Sequence, residues 1–231
     1  MARRDRQLAL SLTTPCGWGG RRPGAGRKEG PNPHMRHRSR ERILRTAPAH
    51  VTVRVLEGLP SLRTVRVVRE IERTFADGCA RPGFRLVHYS LLGNHAHLIV
   101  EAQDRDALGR GMMAIGSRLA RAVNRAARRT GRVLADRYHV RLLPTPKEVR
   151  NALRYVLLNA RRHSTSARSA VKQAARLDPA SSARWFDGWK RRGPGDEKDG
   201  LDRRAVARPR TWLLTTGWRR HGLLDPGDVP G

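Results

Sequence analysis

Acidic side chains are scarce in this chain. Across 231 residues there are 20 aspartates and glutamates against 48 lysines and arginines, giving a net charge of +28 and a pI near 11.8. Such an excess predicts attraction to a polyanion, with nucleic acid first. Arginine outweighs lysine, and a GC-rich genome accounts for a share of the bias. Long apolar runs are missing too. None approaches the ~20 residues of a membrane span, the N-terminus lacks the apolar stretch of a secretory leader, and no basic amphipathic helix carries bulky apolar anchors. No membrane partner is therefore expected. The two cysteines, Cys16 and Cys79, lie far apart in no metal-binding spacing, which excludes a disulfide framework or zinc ribbon and suits a reducing cytoplasm. Aromatics are only 5% and phenylalanines 3, so the core is built from part of the chain. An RNA-recognition sheet with its aromatic-rich motif is disfavoured on the same ground.

What is present divides into three segments. Residues 1–48 form a basic arm rich in glycine, proline and arginine, with little to bury; it is expected to be disordered alone. Within it Arg21, Arg22, Arg27 and Lys28 are candidate phosphate contacts. Residues 49–163 hold the apolar periodicity of a domain. Residues 164–231 are a partly ordered extension containing Trp185, Trp189, Trp212 and Trp218. Those tryptophans serve either to stack single-stranded bases or to dock the extension onto the domain, and docking is favoured.

Inside the domain, alternation at His50–Val55 predicts a first strand, and Ser61 can cap a helix in which Leu62, Val65, Val68, Ile71 and Phe75 recur at helical spacing. Phe84–Leu91 and His95–Glu101 read as an antiparallel strand pair across Gly93-Asn94. Residues 105–129 form a helix with Arg118, Arg121 and Arg125 on its basic side, candidates for phosphate contact. Val133–Leu143 is a fourth strand or ribbon. Thr145 with Glu148 three residues later makes a capping box that opens a helix over 146–162. Strand, helix, strand, strand, helix, strand is the order of a ferredoxin-like or RRM-like α+β fold: an antiparallel sheet with helices on one face, plus a final helix.

The chemistry centres on His95-Ala96-His97. In a strand, residues two apart share a face, so two imidazoles project together. In the last helix, Val149, Ala152, Leu153, Val156, Leu157 and Ala160 form an apolar stripe that Tyr155 and Asn159 leave. Four residues apart, these two stack along one flank. A phenol and an amide near two imidazoles can supply a nucleophile and a third metal ligand. A divalent cation on His95, His97 and Asn159 would polarise a phosphodiester while Tyr155 attacks it. Mixed nitrogen and oxygen donors suit Mg²⁺ or Mn²⁺, with histidine favouring Mn²⁺. Tyr138, in Asp136-Arg137-Tyr138-His139, stays open as the alternative nucleophile; Tyr89 lies in an apolar strand and is expected to pack.

The ordered set Asn94-His95-Ala96-His97-Leu98-Ile99, Gly131–Tyr138 and Arg154-Tyr155-Val156-Leu157-Leu158-Asn159 resembles the single-tyrosine HUH transposases (His, hydrophobic residue, His), which include small insertion-sequence transposases and their palindrome-associated relatives. The resemblance spans about residues 48–163. It implies metal-dependent nicking of single-stranded DNA beside a hairpin and strand transfer through a 5′-phosphotyrosine. Tyr155 would be the nucleophile and His95, His97 and Asn159 the Mg²⁺ or Mn²⁺ ligands. The expected setting is a bacterial cytoplasm at the nucleoid, and both a single chain and a homodimer fit. Gly93 and Ala160 stand where many relatives carry proline. The rival reading is a domesticated protein that holds hairpin DNA or RNA and cuts nothing.

Overall fold

The computed structural model describes residues 46–162 (side chains to 159), 177–191 and 203–228. Strands β1 (Ala47–Arg54), β2 (Ala80–Arg81), β3 (Phe84–Leu91), β4 (His95–Ala102) and β5 (His139–Leu142) form one antiparallel sheet in the order β2-β3-β4-β1-β5. Helices α1 (Val65–Ala76) and α2 (Arg105–Ala126) cover one face, where Val51, Val53, Leu86, Leu98 and Val100 meet Ile71, Phe75, Ile115 and Leu119. Helix α3 (Pro146–Arg162) packs on the other, against Val87 and Ile99. Leaving out the two-residue β2, the strand order is that of the expected α+β ferredoxin-like sandwich. β3 and β4 are buried almost end to end because both their faces are covered. Among the described residues no helix is long and apolar enough to cross a membrane.

Local chemistry sets the ends of the helices. Asp104 caps α2 by accepting from the Ala107 N–H at 2.7 Å. At the start of α3 the Thr145 hydroxyl accepts from the Glu148 N–H at 3.3 Å and donates to the Glu148 carboxylate at 2.8 Å, which, with Arg141, holds that carboxyl below its usual range. Gly111 allows α2 to lie on Phe84: a Cβ there would sit 2.2 Å from the ring.

Several boundaries differ from expectation. β1 begins at Ala47, ahead of the predicted domain start, because Ala47 and Pro48 pair with Ala102 and Glu101 despite weak strand propensity. Helix α1 starts after Thr64; Ser61 instead accepts from the Arg63 N–H in the preceding turn, and Val65 is left exposed at the helix start. The predicted ribbon over 133–143 is a strand only from His139, since the Asp136 carboxylate turns the chain by accepting from the Arg137 N–H. Residues 1–45 lie outside the described residues, and Arg21, Arg22, Arg27 and Lys28 with them.

The C-terminal extension wraps the sheet at β3. The Leu91 N–H donates to the Ala180 carbonyl at 2.8 Å, the Ala207 N–H to the Leu86 carbonyl at 2.8 Å, and the Tyr89 N–H to Ser182 Oγ at 2.9 Å, so the edge beyond the short β2 is covered. A 3₁₀ turn (Ser182–Trp185) follows the first contact, and α4 (Trp212–Thr215) with a second 3₁₀ turn (Gly217–His221) closes over α3. Trp185, Trp189 and Trp218 are buried at these contacts, which is the docking role.

This docking buries His88 beside Ser182 Oγ, 3.1 Å from its Nδ1, and edge-on to Phe186. Burial lowers the His88 pKa to about 3. The unfolded chain then binds the proton the folded chain refuses, so this contribution is complete above about pH 6.5 and is lost as pH falls towards 3. Between pH 7 and pH 5 the loss from His88 is about 2 kcal/mol. Urea unfolding of the wild type and of His88→Gln at both values tests this: the variant should show the shallower pH dependence, and parallel curves would refute it.

Candidate active site

β1, β4 and β5 place a row of polar side chains on the sheet face that α3 covers. His95 and His97 lie on that face of β4. The register sets Arg54 opposite His95, and Thr52 between His97 and His139; one step along, His50 lies opposite Arg141. The expected pairing of two imidazoles on one face is present, with ring centroids 4.9 Å apart.

Both rings are held through Nδ1. His95 Nδ1 is 2.8 Å from Asn94 Oδ1. His97 Nδ1 is 3.1 Å from His50 Nε2 and 3.2 Å from Thr52 Oγ1. Burial, with the Arg141 charge behind it, lowers the His50 pKa to about 4, so His50 is neutral at pH 7 and offers a ring acceptor. In the tautomer with the proton on Nδ1, each histidine of the pair donates to an acceptor in place and carries its lone pair on Nε2. Ligating histidines are commonly oriented in this way.

Helix α3 brings Tyr155 to the same place. Its Oη lies 3.4 Å from His97 Nε2, and its ring stands edge-on to His97 (5.0 Å) and His50 (5.7 Å). Asn159 follows one helical turn later and is fully buried. Neither Oδ1 nor Nδ2 of Asn159 finds a hydrogen-bond partner among the described residues, and the same holds for Ser90 Oγ, which pairs across the sheet from His97. Buried polar atoms without partners cost roughly 1–3 kcal/mol each, so a native chain that keeps them calls for an explanation. No three His, Cys, Asp or Glu side chains converge as metal donors among the described residues. A metal set built on the histidine pair would need another donor type, and the buried, unpartnered Asn159 amide oxygen is of that type.

The remaining candidates lie elsewhere. Tyr138 packs against the α1/α2 core across the sheet, and Tyr89 is buried there with its hydroxyl donating to Glu72 at 3.0 Å. Arg118, Arg121 and Arg125 are on α2, also across the sheet. Arg118 donates to the Asp77 carbonyl at 3.3 Å, Arg125 pairs with Glu70 at 3.0 Å, and Arg121 is exposed. His50 and Thr52 were readable only as strand residues. Their alternation puts them on one face, and the expected ferredoxin-like order sets β1 beside β4, but no local pattern gives the register that brings His50 and Thr52 to His97.

No family model and no curated protein matches the sequence. Among solved structures, the chain is similar to a REP-associated tyrosine transposase bound to a REP hairpin: 19% identity, TM-score 0.47, over 64% of this chain and 82% of that one. It is also similar to a protein described as a transposase from Deinococcus radiodurans: 15% identity, TM-score 0.35, over 45% and 84% of the two chains. The chemistry of this chain rests on its own side chains.

Proposed function

We propose that this chain is a metal-dependent single-strand DNA nickase and strand transferase of the single-tyrosine HUH transposase type, acting at hairpin DNA. The observation that carries the reading is the juxtaposition of the Tyr155 hydroxyl, 3.4 Å from His97 Nε2, with the buried, unpartnered Asn159 amide one turn along the same helix. His95, His97 and Asn159 would hold Mg²⁺ or Mn²⁺, which when bound supplies Lewis acidity at the scissile phosphate. The protein's own groups do the rest. Asn94, His50 and Thr52 fix the histidine tautomers. The α3 backbone delivers Tyr155 Oη, which forms a bond to phosphorus as the bond from phosphorus to the 3′-oxygen breaks. The phenol proton leaves to solvent and the departing oxygen takes one up, giving a 5′-phosphotyrosine and a free 3′-hydroxyl. Rejoining reverses the exchange with another 3′-hydroxyl. The basic surface and the resemblance to hairpin-acting enzymes point to single-stranded hairpin DNA as substrate, met in a bacterial cytoplasm.

The direct test is end-labelled hairpin DNA from the genomic flanks, incubated with Mn²⁺ or with EDTA and run on a denaturing gel. A shifted band with Mn²⁺ and none with EDTA is expected. Binding without any band would favour the non-cleaving relative instead. A second expectation concerns Asn159. Asn159→Leu removes two unpartnered polar atoms at nearly constant volume, so the metal-free variant should melt no lower than the wild type, and up to about 1–3 kcal/mol higher in stability. Its Mn²⁺ affinity, read by titration calorimetry, should fall by at least about tenfold. An unchanged affinity would remove Asn159 from the ligand set.

A further inference from the structure

Three tryptophans of the C-terminal extension are used in packing, with 1–7% exposure, but Trp212 is 48% exposed. It is nevertheless firmly placed. The buried Glu101 carboxylate accepts from the backbone N–H groups of Arg210 and Thr211 (2.7–3.0 Å) and from the Thr211 hydroxyl at 2.6 Å, fixing the turn that presents the indole. Trp212 borders a cleft of about 470 Å³ that Arg85, Gln103 and Arg210 also line. The Arg220 guanidinium stands 4.9 Å from the centroid of its ring. Arg63, Arg184, Arg203 and Arg219 are ion-paired with carboxylates, whereas Arg85, Arg210 and Arg220 form no ion pair among the described residues.

A half-exposed indole beside guanidiniums that form no ion pair among the described residues suits a ligand with one flat apolar face and one negative charge. The one carboxylate lining the cleft, Glu101, is taken up by the Arg210 and Thr211 N–H groups and the Thr211 hydroxyl. A nucleotide of a single strand has both: a base to stack on the indole and a phosphate for the arginines. The cleft volume falls within the range of small-ligand sites. Its place is also consistent with a shared strand. Glu101 lies on β4 four residues beyond His97 and on the same face, about 13 Å away at ~3.3 Å per residue.

We propose that the Trp212 cleft binds a nucleotide of single-stranded DNA, as a second contact point beside the histidine–tyrosine site. The proposal rests on the reading of the chain as a single-strand DNA enzyme. It is tested by fluorescence anisotropy with two labelled probes, an oligothymidylate and a blunt hairpin without single-stranded flanks. The proteins are the full-length wild type, Trp212→Ala and Arg210→Ala. Arg210 meets Glu101 through its backbone, so its truncation leaves the turn intact, and it guards against misfolding of the tryptophan variant.

Each variant should lose about tenfold in affinity for the oligothymidylate and keep its affinity for the blunt hairpin. Trp212→Phe should restore most of the loss. Unchanged oligothymidylate binding in both variants would overturn the proposal, as would an equal loss on both probes or a wild type that does not bind the single strand. The gel assay separates this from the parent reading. Selective loss without a metal-dependent adduct keeps the cleft and removes the nickase; an adduct with unchanged single-strand binding does the reverse.

Discussion

Tyr155→Phe is expected to abolish the covalent protein–DNA adduct while hairpin binding stays within about twofold of wild type. The substitution removes one oxygen and keeps the ring that stands edge-on to His97 and His50. Among the described residues the hydrogen bond lost is the 3.4 Å contact to His97 Nε2, so stability should change by less than about 1 kcal/mol. The chemical consequence is far larger. On the proposed mechanism this oxygen is the nucleophile, so without it no covalent step remains and the rate should fall by at least about 10⁴-fold. The other tyrosines serve as controls. Tyr138 packs across the sheet, and Tyr89 is buried with its phenol pKa pushed up, first by burial and then by the neighbouring Glu72. Tyr138→Phe should leave the adduct in place. Gel analysis with mass determination of the adduct peptide decides the matter: an adduct in Tyr155→Phe, or one mapped to Tyr138, would reassign the nucleophile.

The parts of this arrangement that were legible in sequence are those set by short-range periodicity. His95 and His97 share a face because strand side chains alternate, and β3 runs over Phe84–Leu91 as its β-branched and aromatic run predicts. Helix α3 starts at Pro146 because the Thr145–Glu148 capping box sets that end, and its apolar stripe carries it on through the described residues. Tyr155 and Asn159 stand out in sequence because they lie off that stripe, four residues apart. The register between strands, and the side-chain contacts it makes, stayed hidden. The neighbours that hold His97, namely His50 and Thr52, come from a strand 45 or more residues away. Asn159, expected with Tyr155 on one flank of the helix, is fully buried, and Leu158 beside it is buried too. The burial of Leu158 follows from a fact that no local pattern encodes: the extension returns to pack on α3, so the helix is enclosed between sheet and tail.

That enclosure makes Trp218→Ala the most damaging single substitution expected outside the site. Trp218 is 1% exposed and packs in one cluster with Leu153, Val156 and Leu157 of α3 and Ile99 of β4. Its Nε1–H donates to the Leu214 carbonyl at 3.1 Å, and Gly188 lies so close that a Cβ there would be 2.3 Å from the indole. Truncation opens a cavity between tail and helix that neither can readily fill, at a cost of about 3–5 kcal/mol in urea unfolding. It also loosens one of the two walls that set the position of α3, and hence of Tyr155 Oη over His97. A displacement of an ångström at a reacting atom costs about a hundredfold in rate, so adduct formation should drop by far more than the unfolded fraction explains. Trp185→Ala supplies the comparison. Trp185 is equally part of the extension but packs on the α1/α2 side, with its ring 6.4 Å from Tyr89 and under the Arg184 guanidinium. It should lower stability comparably and leave the adduct rate per folded molecule unchanged. If both variants lose activity only in proportion to unfolding, the extension is a source of stability alone. If Trp218→Ala loses it selectively, the extension is the outer wall of the catalytic helix.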